Sequence, residues 1–358
     1  MGYGYYRTIT IDHTKVPGNL TSHPFLFNTT HSDLRTVGNG GHVTSASGYD
    51  IVFSPNIDGS ARYDHEIEKY VAATGELVAH VRIPVVSSTV DTVFYIVYGD
   101  SGVTTSQEDI TGVWDASYEA VWHLNDDFLD STANDNDLTN AGSTDVAGKI
   151  ADGQELSGAD TVRIDAPVFS PMAAGIISFW MRFDSLSGVR IFYQQRYNAA
   201  IATIAGSFQI DNAEEAVVRL LVYDGSGWII NYSSSAASIS TGAWYYIAIR
   251  WDATNGYKTY INGVENGTDA DIHSLFSASA DHDPAIGALH GALDSWDYEL
   301  DVKVDEFRIE SSERSVSYIQ TTYNNQSSPG TFYALQATEQ IIRSPRSGVT
   351  FASCLGVV

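Results

Sequence analysis

Alternation of apolar and polar side chains is the dominant pattern in the first third of the sequence. Residues 76–84 (ELVAHVRIP) alternate strictly, residues 6–11 do so over a shorter run, and residues 91–99 are apolar on both strand faces. A period of two predicts half-buried strands, and the doubly apolar run predicts a central strand covered on both sides. The buried face of 76–84 is expected to consist of Leu77, Ala79, Val81 and Ile83. With turn-rich segments between the runs, this part of the chain predicts an antiparallel β-sandwich.

A second and larger set of predicted strands follows residue 114. It comprises residues 176–183, 217–233 (a hairpin around Asp224-Gly225), 244–252, 257–267 and 301–310. The inward face of the first of these is expected to be Ile177, Phe179, Met181 and Phe183. The strongest local signal is Asn262-Gly263, which lies between two strand-like runs and is typical of a type I′ hairpin turn. These strands predict a second antiparallel sandwich.

The last strand, 301–310 (DVKVDEFRIE), changes parity within its length. Its apolar residues occupy even positions up to Val304 and odd positions from Phe307 onwards. A change of parity requires one extra residue, so a β-bulge is predicted at Asp305-Glu306. Bulges often redirect a side chain beside a functional site.

One helix is predicted, over residues 312–325. Val316, Ile319 and Tyr323 share one helical face behind a serine cap. The sequence therefore predicts an all-β fold class, with two antiparallel β-sandwich domains in tandem and one short C-terminal helix. The expected domains are residues 1–113, residues 114–335, and a tail of residues 336–358.

Charge excludes some classes of partner. The chain has 19 basic and 44 acidic residues, a net charge of −25, which repels phosphate backbones and anionic membranes. We therefore expect no nucleic-acid partner. No apolar window is long enough for a membrane span, so no membrane insertion is expected. The single cysteine, Cys354, excludes an intramolecular disulfide framework, and the N-terminus has no signal-peptide pattern.

Several motifs resemble known families. The motifs GYDIVF, YDHEIEKY, TGELVAHVRIP and TVFYIVYGD resemble a bacterial and phage domain family of unknown function, which commonly precedes a laminin-G-like domain. The motifs GVWDASYEAVWHL, AGKIADGQELSGADTVRI, YINGVENG and KVDEFRI resemble the concanavalin A-like lectin/glucanase superfamily of laminin-G and pentraxin type. The resemblance covers residues 4–335, implies a concanavalin A-like jelly roll for the second domain, and leaves the activity open, because this fold carries many functions.

The resemblance implies one structural Ca²⁺ ion. Its oxygen ligands would come from the loop DSTANDND and from the last strand, and the expected ligands are Asp130, Asn134, Asn136 and Asp305. The alternative is a loop that satisfies its own hydrogen bonds through Asx turns. A second loop of the family is represented by LSGADTV, which retains Asp160 but lacks the neighbouring carboxylate. A second cation is therefore not expected there.

Glycoside hydrolysis is the enzymatic alternative. Laminarinase-type relatives carry paired carboxylates on one strand face, and the nearest match here is Glu299, Asp301 and Asp305. Lys303 interrupts this set and the third acid is displaced, so the motif fails. Glu66 and Glu68 are also two residues apart on a strand. Solvated strand faces explain both groups better, and we expect no catalytic residues. The ten histidines are scattered without metal-ligand spacing.

Glycan binding would require exposed aromatic rings beside hydrogen-bonding side chains. The candidates are Trp228, Tyr232, Trp296 and Tyr298, which fall in or beside turn-rich segments. The alternative places these rings at the rim of the core.

The function that these observations favour is a non-catalytic, surface-exposed attachment or decoration protein that binds glycans. A phage virion component, on the head or tail, reconciles the extracellular type of domain with the missing signal sequence. The expected partners are surface glycans or other proteins of the virion or cell surface, and the expected location is the virion surface or cell exterior. A secreted bacterial adhesin is the alternative. Homo-oligomerisation stays open, since no coiled-coil or collagen repeat is present.

Overall fold

The computed structural model describes most of the chain and is dominated by antiparallel β-sheet. The described residues are 2–342, apart from 159–161, 188–190, 197–204, 213–215, 225–227, 236–237, 271–273, 277–281, 291–295 and 298–300. Several antiparallel sheets with few and short helices confirm the predicted all-β class. No helix in these ranges has the length and apolar character that a membrane span requires.

The first part of the chain contributes six strands and several short helical turns. The strands are β1 (Tyr5–Ile11), β2 (Leu20–Thr30), β3 (Val52–Ser54), β4 (His65–Val71), β5 (Glu76–Val86) and β6 (Thr92–Tyr98). The 3-10 turns are His13–Lys15, Ser32–Leu34 and Val37–Asn39, and the first α-helical turn is α1 (Ile110–Val113).

The second part contributes most of the remaining strands. They are β7 (Tyr118–Trp122), β8 (Thr139–Ala141), β9 (Thr144–Ala147), β10 (Asp152–Leu156), β11 (Arg163–Asp165), β12 (Gly175–Phe183), β13 (Ile191–Arg196), β14 (Ala205–Asp211), β15 (Arg219–Asp224), β16 (Trp228–Ser233), β17 (Trp244–Asp252), β18 (Gly256–Ile261), β19 (Val264–Asp269), β20 (His282–Ile286), β21 (Leu289–His290), β22 (Trp296–Asp297) and β23 (Val302–Glu310). The chain then forms α2 (Val316–Ser327), α3 (Pro329–Phe332), β24 (Tyr333–Leu335) and β25 (Glu339–Gln340).

The first sandwich packs the sheet β24-β1-β6-β3 against the sheet β2-β5-β4. The predicted face of β5 (Leu77, Ala79, Val81 and Ile83) lies in their shared core, which confirms the period-two interpretation. Strand β2 was missed by the sequence patterns, because Pro24 interrupts its alternation. Pro24 is tolerated because β2 is an edge strand, paired only with β5 among the described strands.

The second sandwich consists of an eight-stranded and a seven-stranded sheet. The first has the order β19-β18-β17-β12-β23-β10-β9, with β7 also pairing with β23, and the second has the order β16-β15-β14-β13-β20-β11-β8. The predicted inward face of β12 is confirmed, since Ile177, Phe179, Met181 and Phe183 are all fully buried. Phe179 stacks on Phe307 of β23 with ring centroids 4.9 Å apart. This aromatic contact joins two central strands.

Two local predictions for this sandwich are confirmed. Asn262 and Gly263 both have positive φ, 52° and 76°, as a type I′ turn requires. The pairing of β12 with β23 shifts register where Ser178 meets Arg308 and Trp180 meets Asp305, and Glu306 has a φ of 55°. The extra residue is therefore at the predicted bulge.

Helix α2 lies between the two sandwiches. Ser315 caps its first turn by accepting a hydrogen bond from the Tyr318 backbone N–H, so the helix begins at Val316, later than predicted. Tyr318 packs into the core of the first sandwich, whereas Ile319 packs with Trp180 of the second. The helix thus contributes a buried side chain to the first core and covers the outer face of the sheet that contains β12.

The end of the described chain returns to the first sandwich. Asn325 of α2 both accepts from and donates to the backbone of Leu26 in β2. Phe332 and Tyr333 lie in the first core, and β24 pairs with β1. The sequence patterns grouped residues up to 335 with the second domain. In the structure, β24 completes a sheet of the first domain, because its partner strand is more than 300 residues away and no local pattern reveals it.

His23 of β2 gives a testable dependence of stability on pH. Its ring is buried against Tyr318, and neither ring nitrogen has a hydrogen-bond partner among the described residues. Burial, with the nearby charges of Arg308 and Arg314, lowers the pKa of His23 to about 3 from 6.5. The unfolded chain therefore binds a proton below pH 6.5 that the folded chain excludes.

We expect His23 to lower the free energy of unfolding by about 1.4 kcal/mol for each pH unit below 6.5, down to about pH 3. His23→Phe keeps the ring contact and removes this proton, so urea unfolding should show a shallower acid slope. The free energies of unfolding of the variant and the parent should differ least at pH 8. Equal acid slopes would contradict a buried neutral histidine.

Candidate functional site

Of the four residues predicted to stack on a sugar, the structure describes the side chain of Tyr232. Tyr232 of β16 is 8% exposed and lies in the core of the second sandwich. It therefore offers no open ring face to a sugar, which corrects the prediction for this residue and agrees with its alternative. The side chains of Trp228 and Trp296, and all of Tyr298, lie outside the described residues.

The predicted cation loop is held by its own hydrogen bonds. One carboxylate oxygen of Asp130 accepts from the backbone N–H groups of Val121 and Thr132, at 2.9 and 3.0 Å. The other accepts from the Thr132 hydroxyl and the Asn136 N–H, at 2.7 and 3.0 Å. Both oxygens that would bind a cation are therefore already acceptors, as the Asx-turn alternative predicts.

The two asparagines of the loop bind the neighbouring strand. Asn134 donates to the carbonyls of Tyr118 and Glu119, and Asn136 donates to that of Glu119. The indole N–H of Trp122 in turn donates to the carbonyl of Asn136, at 2.8 Å. These bonds fix the loop against β7 without a ligand.

Asp305 has separate contacts. One of its carboxylate oxygens accepts from the backbone N–H groups of Lys149 and Ile150, each at 2.7 Å. Among the described residues, Asp130 and Asp305 share no hydrogen-bond partner. Asp160 lies outside the described residues. A structural Ca²⁺ ion held by Asp130, Asn134, Asn136 and Asp305 stays a prediction.

A polar cleft of about 540 Å³ opens beside the loop. One wall is the loop and β7, and the other is the segment before β12. Its hydrogen-bonding and rim residues include Glu119, Asn134, Asn136, Val168, Ser170 and Ser311. Val168 is 46% exposed and so presents its side chain to solvent. The cleft combines a carboxylate, carboxamides and hydroxyls with an apolar rim.

A second cluster lies buried between the sandwiches, and we refer to it as the interface cluster. It consists of Glu66 and Glu68 of β4, His80 of β5, His123 after β7, and Glu306 of β23. All five side chains are at least nine-tenths buried. The sequence interpretation of 66 and 68 as a solvated strand face is wrong, because the second sandwich covers that face of the sheet β2-β5-β4. The same holds for Asp305, which is fully buried.

Short distances connect the members of the interface cluster. The Nε2 atom of His80 lies 3.1 Å from Glu68 Oε2 and 3.6 Å from Glu306 Oε1. His123 Nδ1 lies 2.6 Å from Glu306 Oε1 and 3.9 Å from Glu68 Oε2. The two imidazole rings stack with centroids 4.5 Å apart. Two histidines and two carboxylates therefore converge from both domains.

Surrounding groups hold the cluster in place. The indole N–H of Trp114 donates to Glu66 at 2.9 Å, and the hydroxyl of Ser131 donates to the same carboxylate at 2.6 Å. Arg308 forms an ion pair with Glu306 and its guanidinium lies over the ring of Trp114. Every charge in this dry environment thus has an opposite charge or a donor nearby, as burial demands.

Burial and pairing shift the protonation of the cluster. Burial alone would lower the pKa of His123, but the charges of Glu306 and Glu66 raise that pKa well above its usual value. Burial opposes ionisation of Glu306, yet His123 and Arg308 hold its pKa well below the usual range. Burial raises the pKa of Glu68. The folded protein therefore contains an imidazolium–carboxylate pair, His123 and Glu306, at the interface.

Two strand irregularities create this convergence. Strand β4 shifts register against β5 between Ile67 and Lys69, so Glu68 is an extra residue. The bulge in β23 does the same for Glu306. Because the bulge in β23 adds one residue, the adjacent acids Asp305 and Glu306 can both turn away from the core. The parity of apolar residues predicts only the bulge in β23, and no local spacing links His80 to His123.

The alternative hydrolase residues do not form an open catalytic pair among the described residues. Glu299 lies outside them, Asp301 is half-buried, and Asp305 is fully buried. Burial, Glu306 and Glu68 raise the pKa of Asp305 well above its usual value. A neutral Asp305 that binds backbone N–H groups has a structural role.

Asp305 can be tested by a matched pair of substitutions. Asp305→Asn keeps an acceptor for both backbone N–H groups, and its amide can donate towards the neighbouring carboxylates. It should change the free energy of unfolding by about 1 kcal/mol or less at pH 7. Asp305→Ala orphans the two N–H groups and should cost roughly 2–5 kcal/mol in urea unfolding. Equal costs for both variants would show that Asp305 is ionised.

Comparison with known proteins covers mainly the second sandwich. Residues 156–320 match the family model described as the concanavalin A-like lectin/glucanases superfamily. No curated protein matches the sequence significantly. The likeness of the first domain to a family of unknown function stays a prediction.

Several solved structures resemble part of the chain. Domain 4 of AbnA, a GH43 extracellular arabinanase from Geobacillus stearothermophilus in complex with arabinotriose, is 21% identical, with a TM-score of 0.45, over 59% of this chain and 100% of that domain. The binding domain of Paraclostridial Mosquitocidal Protein 1 is 16% identical, with a TM-score of 0.47, over 58% of this chain and 52% of its own. The botulinum neurotoxin serotype G binding domain is 15% identical, with a TM-score of 0.43, over 56% and 49%. This chain thus spans about half the length of the toxin domains. At these scores the likenesses carry no information about its ligand.

Proposed function

We propose that this protein is a non-catalytic attachment protein whose second sandwich binds glycans through the polar cleft. The observation that carries the proposal is the position of the cleft. It lies on a domain that matches a lectin/glucanase superfamily, between the loop that contains Asn134 and the segment around Ser170. We retain the glycan binding predicted from the sequence, but we propose this cleft as the binding site in place of the four aromatic residues.

The chemistry of the cleft supports a sugar ligand. A sugar presents many hydroxyl groups, and each can both donate and accept a hydrogen bond. Glu119 supplies a carboxylate acceptor, and Ser170 and Ser311 supply hydroxyls that donate and accept. The carboxamide oxygens of Asn134 and Asn136 are acceptors too, since the hydrogen bonds of these side chains to β7 use only their nitrogen atoms. Val168 adds an apolar contact for a ring face.

The buried carboxylates support the non-catalytic part of the proposal. Glycoside hydrolysis requires two carboxyl groups on opposite sides of a glycosidic bond in a site that the sugar can enter. Asp305 is fully buried and bound to the backbone of Lys149 and Ile150. Among the described residues that line the polar cleft, Glu119 is the only acid.

A matched pair of substitutions tests the cleft. Val168→Arg places a long charged side chain at the rim and should weaken binding of the best ligand on an oligosaccharide array by at least about tenfold, because it obstructs the cleft. Val264→Arg makes the same change at an exposed valine of the β18–β19 hairpin, away from the cleft. It should leave the affinity within about twofold.

Equal losses in the two variants would place the glycan elsewhere on the domain. Failure to bind any oligosaccharide would contradict the glycan proposal. Release of reducing ends from β-glucans, abolished in Glu299→Gln, would replace it with the hydrolase alternative.

We further propose that the protein acts on the surface of a phage virion, on the head or tail. The support is the sequence interpretation of an acidic tandem of extracellular-type domains. Labelled antibody against the chain should decorate native particles in negative-stain images. Protein found only in culture supernatant, unattached to particles, would favour the secreted adhesin instead.

A further inference from the structure

The interface cluster contains a set of side chains with the composition of a transition-metal site. Glu68, His80, His123 and Glu306 each offer one ligand atom, and these four atoms all lie within 4.8 Å of one another. Glu68 and His80 come from the first sandwich, and His123 and Glu306 come from the second. The set therefore joins residues from four separate segments of the chain.

The spacing fits a tetrahedral ion. A tetrahedron with metal–ligand bonds of 2.0–2.1 Å has edges of about 3.3 Å. Four of the six edges of the cluster, those between a histidine nitrogen and a carboxylate oxygen, run from 2.6 to 3.9 Å, and the other two are no longer than 4.8 Å. The shortest, between His123 and Glu306, would have to open by less than about 1 Å to admit an ion. Two nitrogen and two oxygen ligands suit Zn²⁺ and similar divalent ions better than Ca²⁺, which prefers an all-oxygen shell.

One of the ligating carboxylates has an oxygen without a partner. Glu68 Oε1 is buried and has no hydrogen-bond partner within the described part of the chain. The side chains of Glu68 and His80 are both fully buried. A buried carboxylate oxygen without a donor is costly, and a cation beside Glu68 would remove that cost.

Groups behind the four ligands resemble the supporting shell of a metal centre. His123 would bind through Nδ1, and its Nε2 faces the carboxylate of Glu66 at 3.3 Å. A metal-bound histidine usually has such a carboxylate behind it, which orients the ring. Arg308 pairs with the far oxygen of Glu306, and Trp114 and Ser131 fix Glu66.

An entry path reaches the cluster. A cavity of about 220 Å³ is lined by Glu66, Glu68 and His123 of the cluster and by Asp127 and Asp130 of the loop after β7. Its acidic lining would attract a cation. A plausible metal site needs such a path in addition to ligands and support.

We propose that Glu68, His80, His123 and Glu306 bind one divalent transition-metal ion of the Zn²⁺ type, which joins the two sandwiches. The ion would neutralise the two ligating carboxylates, which are both buried. This site differs from the calcium loop predicted from the sequence, and it does not depend on glycan binding.

The test uses the full chain, expressed without a polyhistidine tag. After dialysis, elemental analysis should find one Zn²⁺ per chain, and the metal-free protein should melt at a lower temperature that rises again on adding Zn²⁺. Co²⁺ bound in place of Zn²⁺ should give the visible absorption of a tetrahedral nitrogen–oxygen site. This spectrum would not arise from a purely structural ion-pair cluster.

Glu68→Gln and His80→Gln should each lose the bound metal and the Co²⁺ spectrum. His13→Gln is the matched control, because His13 belongs to an exposed group with Asp12 and Asp91 that could bind ions adventitiously. It should keep both signals. If either cluster variant fails to fold, the parent protein still decides the question. A folded parent that binds no Zn²⁺, and whose melting temperature responds to neither Zn²⁺ nor chelator, would overturn the proposal and leave an ion-pair network.

Discussion

The paired charges buried between the two sandwiches are the constraint on which the arrangement of the domains depends. His123, Glu306 and Arg308 are buried, and their charges are stabilised mainly by one another and by neighbouring protein groups. Removing one partner from such a group costs more than the pair contributes, because the other charge is left buried alone. The first sandwich supplies Glu66, Glu68 and His80 to the same group, so separating the domains would expose an unbalanced set. These buried charges therefore oppose separation of the two sandwiches at this surface.

The bulge in β23 links this interface to the core of the second sandwich. Val304 and Phe307 face the core, while Asp305 and Glu306 between them turn outwards. A regular strand would have placed one of these acids among the apolar residues. Asp305 then anchors the turn at Lys149 and Ile150, and Ile150 packs with Leu26 and Val78 of the first sandwich. The bulge in β23 thus keeps acids out of the core, anchors the turn at Lys149 and Ile150, and supports the contact between the domains.

Helix α2 and the strand that follows it make the domains interdependent. Tyr318 packs in the core of the first sandwich, the adjacent Ile319 packs on the outer face of a sheet of the second, and β24 completes the first sheet. The first sandwich is consequently built from both ends of the described chain, with the second inserted between them. The polar cleft lies on the second sandwich, on loops that β7 and Asp130 hold in place. Helix α2 and β24 therefore connect the domain that carries the cleft to the first sandwich.

The sequence alone determined the fold class, the inward faces of β5 and β12, the Asn262-Gly263 turn and the bulge at Glu306, because each rests on spacing between near neighbours. It also marked the loop around Asp130 and suggested, as an alternative, that this loop satisfies its own hydrogen bonds. Only the tertiary structure decided that Glu66 and Glu68 are buried, that Tyr232 belongs to the core, and that β24 pairs with β1. Those facts depend on which sheet face another domain covers, and residues as distant as His80 and Glu306 meet only after both sandwiches have folded. Periodicity distinguishes the two faces of a strand, but it does not reveal what lies against the second one.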